Sequence, residues 1–76
     1  MSEREFKNNT LVRHFKGKYY TFLCKAVHTE TNEWFAVYRA EYGDRMVYVR
    51  PYSMFISEVD KEKYPNCSQK YRFEPV

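Results

Sequence analysis

The stretch YYTFLCKAVHT, residues 19–29, is the longest run of β-favouring residues in the chain and the basis of the fold prediction. Aromatic and β-branched side chains dominate it, and such side chains pack well on a pleated surface. Simple alternation would place one set of side chains on a single face: Tyr20, Phe22, Cys24, Ala26 and His28. Because this set is mostly apolar before His28, the pattern predicts a strand with one buried face.

Shorter runs of the same kind lie on both sides of this strand. They predict strands over residues 11–15, 34–40, 46–50, 56–59 and 71–73, with turns at 16–18, 30–33 and 42–45 and one helical turn over 52–55. No window repeats apolar residues at helical spacing over the length that a helix needs. The sequence therefore predicts an all-β domain, a small SH3-like or OB-like barrel of five or six short antiparallel strands whose closure would remove exposed edges.

The 76 residues suffice for a single domain. Within it we expect residues 1–10 to form a loose N-terminal arm, with Phe6 as its candidate anchor, and residues 60–70 to form a charged loop. A chain of this length buries only ~60% of the surface that its unfolded form exposes. Its eight Tyr, six Phe and one Trp supply large rings for a small core, so the aromatic content has a structural explanation before a functional one.

The net charge of +3 permits an anionic partner without reaching the strongly basic character of a dedicated nucleic-acid-binding domain. No apolar stretch resembles a signal peptide or a membrane span. We therefore expect a cytoplasmic protein with no membrane partner, in which Cys24 and Cys67 are free thiols.

The residues that carry metal or catalytic chemistry are few and badly spaced. On one face of a strand Cys24 and His28 would lie roughly 13 Å apart, too far to share a zinc ion or to act as nucleophile and base. The carboxylates fall in turns and loops, and the glycines are too few for a phosphate-binding loop. The sequence predicts a protein that is not an enzyme and needs no metal or other cofactor.

A candidate binding pair lies in the strand over residues 46–50. Alternation places Tyr48 and Arg50 on one side, and Val47 and Val49 on the other. Because valine pairs normally face a core, we expect Tyr48 and Arg50 to point outward, as a stacking ring beside a planar charged group. Such a pair suits a phosphate, a carboxylate or a base edge. An equally supported alternative is an ion pair between Arg50 and a glutamate across the sheet.

Further candidate contacts come from other segments: Lys16, His28, Tyr38 and Arg39. His28 is equally consistent with a structural histidine. Tyr38 shares a face with Trp34, and Phe35 shares the other with Val37; the pattern leaves open which of the two faces is core.

Four segments in fixed order resemble the small bacterial and phage domain-of-unknown-function family sixteen fifty-three (DUF1653): RHFKGKYY (13–20), AVHTET (26–31), VYRAEYG (37–43) and VRPYSMF (49–55). The segment RFE (72–74) is similar to the closing motif of that family. The resemblance implies no assigned activity, but it marks as motif positions His14, Lys16, Gly17, His28, Tyr38, Arg50, Pro51, Met54 and Phe55. His14 thereby joins the candidate ligand contacts. Tyr48 stands where the family commonly has Trp, and the loop 60–70 is longer than is usual there.

We hypothesise a non-enzymatic module that binds a small anionic ligand, such as a nucleotide, chiefly through Arg50, Tyr48, His28 and Lys16. In a phage or bacterium it would sequester a nucleotide signal, and the hypothesis includes assembly as a homo-oligomer. Two alternatives stay open. One is a protein-interaction barrel that docks a peptide or a subunit, and the other is weak binding of RNA or single-stranded DNA.

Overall fold

The computed structural model describes residues 5–76, which form one antiparallel sheet of five strands. In chain order the elements are β1 (Thr10–His14), β2 (Tyr19–Val27), β3 (Trp34–Ala40), β4 (Val47–Pro51), the helical turn α1 (Tyr52–Phe55) and β5 (Phe73–Pro75). The strand order is β4-β3-β2-β1-β5. The prediction of a small all-β antiparallel domain is confirmed. Within the described residues β4 and β5 are the two edges of an open sheet, so closure into an SH3-like or OB-like barrel is not confirmed.

Residues with positive φ mark the three tight turns. Gly17 (φ 99°) lies between β1 and β2, and Asn32 (φ 61°) lies between β2 and β3. Gly43 (φ 58°) and Arg45 (φ 55°) lie between β3 and β4. Glycine and asparagine enter the left-handed region at low cost, which explains why the turns fall where the sequence predicts them.

A β-bulge in β2 changes which side chains are buried. Phe22 pairs with Tyr38, whereas Cys24 pairs with Val37, so Leu23 is one extra residue on β2. Directly opposed residues share a face of a sheet, and the buried face carries Phe22 and Tyr38. The prediction that Cys24 and the following alternate residues share the face of Phe22 is therefore wrong, because the extra residue inverts the alternation. We call the buried side the core face and the opposite side the outer face.

The orientation predicted for β4 is also wrong. Arg50 pairs with Ala36, which is fully buried, so Arg50 and Tyr48 lie on the core face. Val47 and Val49 point from the outer face and are 54% and 63% exposed. The reason is that this end of the sheet is covered only on its core face, and valines on the uncovered face of an edge strand stay in contact with water.

The core lies between the core face and the segment that follows β4. Its buried cluster consists of Phe6, Val12, Phe22, Ala36, Tyr38, Tyr52, Phe55 and Phe73. The Phe6 ring lies 5.6 Å from that of Phe22 and 5.5 Å from that of Phe55, measured between centroids. Of the arm predicted over residues 1–10, residues 1–4 lie outside the described part of the chain, Phe6 is a buried anchor, and Thr10 already belongs to β1.

The segment between α1 and β5, residues 56–72, contains little regular secondary structure. The strand predicted after α1 is reduced to one bridge, between Glu58 and Tyr71. The charged loop 60–70 is held by its own hydrogen bonds: the Lys61 ammonium donates to the carbonyls of Cys67 (2.6 Å) and Gln69 (3.0 Å). No helix within residues 5–76 has the length and apolar character that crossing a bilayer requires.

Candidate functional site

A cleft of about 450 Å³ opens where the β1–β2 turn, the end of β4 and the loop 60–70 meet; we call it the basic cleft. Its lining includes four cationic side chains: Lys16, Arg50, Lys63 and Arg72. In the described lining Asp60 is the one carboxylate. Like charges gathered in a concave site create a positive potential that attracts anions.

Arg50 reaches this cleft from the core face of β4. Its guanidinium carbon lies 5.9 Å from the centroid of the Phe73 ring, a cation–π contact that supports the group from below. No carboxylate within residues 5–76 lies at ion-pair distance from Arg50. The alternative of a structural ion pair at Arg50 is thus not seen in the described part of the chain, and its planar donor group is available to a ligand.

His14 supplies an uncharged donor beside these cations. Its Nδ1 accepts a hydrogen bond from the backbone N–H of Lys16 (3.2 Å), which places the proton of the neutral ring on Nε2. Burial, and then the nearby charges of Arg50 and Lys16, lower the pKa of His14 to about 4. At neutral pH the imidazole is therefore uncharged, and its Nε2–H is the group that can donate to a ligand.

Two further cations of the basic cleft, Lys63 and Arg72, belong to the segment between α1 and β5. The Arg72 Nε donates to Ser57 Oγ at 3.2 Å, which orients the guanidinium group of Arg72. Asp60 Oδ1 accepts hydrogen bonds from the backbone N–H groups of Glu62 (3.0 Å) and Lys63 (3.3 Å), so this carboxylate is engaged in a turn. Sequence reasoning missed Lys63 and Arg72, because no local pattern shows that this loop returns to the β1–β2 turn.

A second cleft, of about 520 Å³, adjoins the first; we call it the loop cleft because residues 63–69 form much of its wall. The two clefts share Phe15, Lys16, Lys63 and Tyr64. The rings of Phe15 and Tyr64 meet edge to face, with centroids 4.9 Å apart. The Lys16 ammonium lies 5.9 Å from the first ring and 5.7 Å from the second. An aromatic pair with a cation beside it is therefore the wall common to both clefts.

The remaining predicted site residues lie elsewhere. Tyr38 is buried in the core, and its ring packs against those of Tyr20 (5.4 Å) and Tyr48 (5.9 Å). Tyr48 is 41% exposed but is not part of the described lining of either cleft. His28 lies in the β2–β3 turn, where its Nδ1 accepts from the backbone N–H groups of residues 30 (3.1 Å) and 31 (3.4 Å). The predicted residues that the structure brings together are His14, Lys16 and Arg50.

Arg39 belongs to an ion-pair cluster outside both clefts. Glu41 Oε2 accepts hydrogen bonds from Thr21 Oγ1 (2.6 Å) and from the Arg39 Nε (3.0 Å), and Glu41 Oε1 accepts from Arg45. The hydrogen bonds from Thr21 and Arg45 lower the pKa of Glu41 to about 2. This cluster ties β2 to the β3–β4 turn, which gives Arg39 a structural role.

The potential metal ligands are dispersed. Both cysteines are free thiols, and residues 5–76 contain no group of three or more His, Cys, Asp or Glu side chains that could hold a metal ion.

Comparison with known proteins identifies the family of the chain but gives no information about a ligand. No curated protein and no solved structure matches the chain. The family described as "Protein of unknown function (DUF1653)" matches residues 10–75, a range that runs from the first residue of β1 to the last residue of β5 and includes the residues of both clefts. The chain therefore belongs to the DUF1653 family.

Proposed function

We propose that this protein is a non-enzymatic module that binds a small anionic ligand in the basic cleft. The observation that carries the proposal is the convergence of four cationic side chains, from three separate segments, on one cleft. The carboxylate of Asp60, which also lines the cleft and accepts hydrogen bonds within a turn, is outnumbered by these four cations. A phosphate or carboxylate group would satisfy these donors.

Each side chain has a distinct part in binding. The Arg50 guanidinium presents parallel N–H donors that match two oxygens of a phosphate or carboxylate. The neutral His14 contributes the Nε2–H, whose direction is fixed by the hydrogen bond at Nδ1. The ammonium groups of Lys16 and Lys63 act as mobile charges at the rim.

The chemistry of the lining supports binding without catalysis. A nucleophile needs a base within hydrogen-bond reach. The described lining of the basic cleft includes no Ser, Thr or Cys side chain, and the acceptor nitrogen of His14 is occupied by the backbone of Lys16. In a bacterial or phage cytoplasm such a module would sequester its ligand rather than convert it.

The test compares variants that lose the same charge inside and outside the cleft. Arg50→Ala and Arg72→Ala remove a cation from the lining, whereas Lys7→Ala removes one from an exposed position elsewhere. Inorganic phosphate and a set of nucleotides are titrated into each variant by calorimetry. Loss of a charged hydrogen bond is worth about 1.5–3 kcal/mol, so we expect Arg50→Ala to weaken binding about tenfold or more. Identical binding by wild type, Arg50→Ala and Arg72→Ala would contradict the proposal.

A second candidate function, self-association through the outer face, is favoured by a separate observation. The outer face carries a shallow apolar cleft of about 210 Å³ whose lining includes Ala26, Phe35 and Val49. Exposed apolar clusters of this kind are common at protein interfaces. Sedimentation over a range of concentrations tests it: we expect Val49→Asp to abolish association and Met54→Asp, at another exposed apolar position, to leave it intact. A wild type that stays monomeric throughout removes this candidate.

A further inference from the structure

The wall shared by the two clefts has the composition of a base-binding platform. Flat nucleobases stack on aromatic rings, and a nearby cation adds to this attraction. The rings of Phe15 and Tyr64 and the ammonium of Lys16 lie together on this wall. A base placed against them in the loop cleft would be adjacent to the cations of the basic cleft, because the clefts have these three residues in common.

Gln69 gives the loop cleft a fixed hydrogen-bond acceptor. This side chain is only 9% exposed, and its Nε2 donates to the carbonyls of Arg13 (2.9 Å), Tyr71 (2.9 Å) and Arg72 (3.5 Å). The three carbonyls fix which way the amide is turned, since a flipped amide would set its oxygen against theirs.

The other end of that amide is left for a ligand. Gln69 Oε1 receives no hydrogen bond from residues 5–76, yet the described chain has no side-chain N or O that is both fully buried and unpartnered. The oxygen is therefore not completely buried, and Gln69 lines the loop cleft. A rigid acceptor beside an aromatic platform can receive an N–H from the edge of a base.

From these features we propose that the two clefts form one two-part site for a nucleoside phosphate. The phosphate occupies the basic cleft among Arg50, His14 and Lys16, and the base occupies the loop cleft against Tyr64, with an N–H donated to Gln69 Oε1. Each cleft falls within the roughly 300–1,000 Å³ typical of small-molecule sites. The proposal rests on the function proposed above and adds the class of ligand.

A free nucleotide fits the described clefts better than a long strand of nucleic acid. One aromatic platform lies beside one cluster of cations, which matches one base and one phosphate. Proteins that bind single strands instead stack successive bases along a groove of positive charge.

The experiment separates the two halves of the ligand. Calorimetric titrations at one ionic strength use inorganic phosphate, ribose 5-phosphate, and the monophosphates of adenosine, guanosine, cytidine and uridine. We expect ribose 5-phosphate to bind about as well as phosphate, and at least one nucleotide to bind about tenfold more tightly than ribose 5-phosphate. If all four nucleotides only equal ribose 5-phosphate while phosphate still binds, the two-part site is wrong and the proposed function stands. If neither the phosphorylated compounds nor a carboxylate such as citrate binds, the proposed function itself fails.

Two variants test whether the higher affinity for a nucleotide than for ribose 5-phosphate comes from the aromatic rings of the shared wall. Tyr64→Leu removes the ring from the shared wall, and Trp34→Leu removes an exposed ring that lines neither cleft. Because Tyr64 also lines the basic cleft, we expect Tyr64→Leu to weaken ribose 5-phosphate binding slightly and nucleotide binding much more, so that most of the difference between the two ligands is lost. Trp34→Leu should change neither. An equal loss of both ligands in Tyr64→Leu would overturn the assignment of the base to the loop cleft.

The contact of Gln69 with the base can be tested by NMR without a substitution. The NMR signals of its side-chain amide should shift on addition of the nucleotide and stay in place with ribose 5-phosphate. An unchanged signal with a bound nucleotide would remove Gln69 from the site. A short single-stranded oligonucleotide is the last probe: affinity that rises with strand length above that of the mononucleotides would overturn the proposal in favour of a nucleic-acid surface.

Discussion

The ring of Phe73 stacks on the ring of Phe55, with centroids 4.3 Å apart and planes inclined by 16°. Phe73 begins β5, and Phe55 ends α1, so the stack joins the last strand to the segment that follows β4. The same Phe73 ring lies beneath the Arg50 guanidinium and meets the His14 ring at 4.8 Å. One buried side chain thus supports both the core and the floor of the basic cleft.

Truncation of this ring should affect stability strongly. We expect Phe73→Ala to lower the free energy of unfolding by about 3–5 kcal/mol, because it removes a fully buried ring and leaves a cavity. Phe73→Leu keeps most of the apolar volume and should lose much less. Urea denaturation measures both values. A loss below about 1 kcal/mol for Phe73→Ala would show that the stack is not part of the core.

The orientation of β4 can be tested with a matched pair of valines. Val12 is fully buried on the core side of β1, whereas Val49 is 63% exposed on the outer face. We expect Val12→Ala to lower the free energy of unfolding by about 2 kcal/mol, and Val49→Ala to change it by less than about 0.5 kcal/mol. Equal losses in chemical denaturation would mean that Val49 faces the core after all.

The lowered pKa of His14 predicts a pH dependence of stability. The unfolded ring takes up a proton near 6.5, and the folded ring does so only near 4. Between these values the unfolded state binds more protons, so the contribution of His14 to stability is complete above 6.5 and is lost as the pH falls toward 4. His14→Asn should remove this dependence, measured by denaturation across the window.

Glu41 also makes the stability depend on pH, but at lower pH than His14, so the two contributions must be distinguished. The pKa of Glu41 is lowered from 4.5 to about 2, so its contribution is lost only as the pH falls through that range. NMR titration of the His14 ring distinguishes the two directly. A His14 titration near the ordinary histidine value would contradict the burial seen in the structure.

Gly17 provides a test of the β1–β2 turn. Its φ of 99° is unfavourable for any L-residue with a side chain, although no heavy atom within 4 Å would contact an added Cβ. We expect Gly17→Ala to lower the free energy of unfolding by about 1 kcal/mol or more through the backbone alone. Asp44→Ala, at an exposed position of the β3–β4 turn, should stay within about 0.5 kcal/mol of wild type. Similar midpoints of thermal unfolding for the two variants would argue against the left-handed turn.

The positions of the first four strands could be predicted because their limits depend on local chemistry, whereas the strand predicted over 56–59 is one bridge and the strand predicted over 71–73 lies at Phe73–Pro75. Gly17, Asn32 and Gly43 lie at the turns that they predict, and the helical turn Tyr52–Phe55 has the predicted limits. It was harder to predict which side chains of each strand face the core. An unbroken apolar alternation in β2 gives no sign of a bulge at Leu23, and Val49 resembles a core residue although its edge strand leaves it exposed.

The candidate site could be predicted only in part. The sequence pattern indicates Lys16 and Arg50, the family resemblance adds His14, and the three lie together in the basic cleft. Neither indicates Lys63 or Arg72, because the path of the loop depends on hydrogen bonds between residues far apart in sequence. One of them joins Gln69 to the carbonyl of Arg13, a contact that has no local signature.

The bulge at Leu23 decides which side chains of β2 face the core. Because Leu23 is the extra residue, a chain that lacked it would still pair Cys24 with Val37 and Lys25 with Ala36, and every side chain would keep its present face. If the full chain paired without the bulge, each residue from Cys24 onward would instead turn over. Lys25, whose ammonium lies 4.7 Å from the ring of Tyr52, would then be carried to the outer face, and the Cys24 thiol would move inward. One extra residue thus gives the second half of β2 an inside and an outside that its hydrophobic pattern does not show.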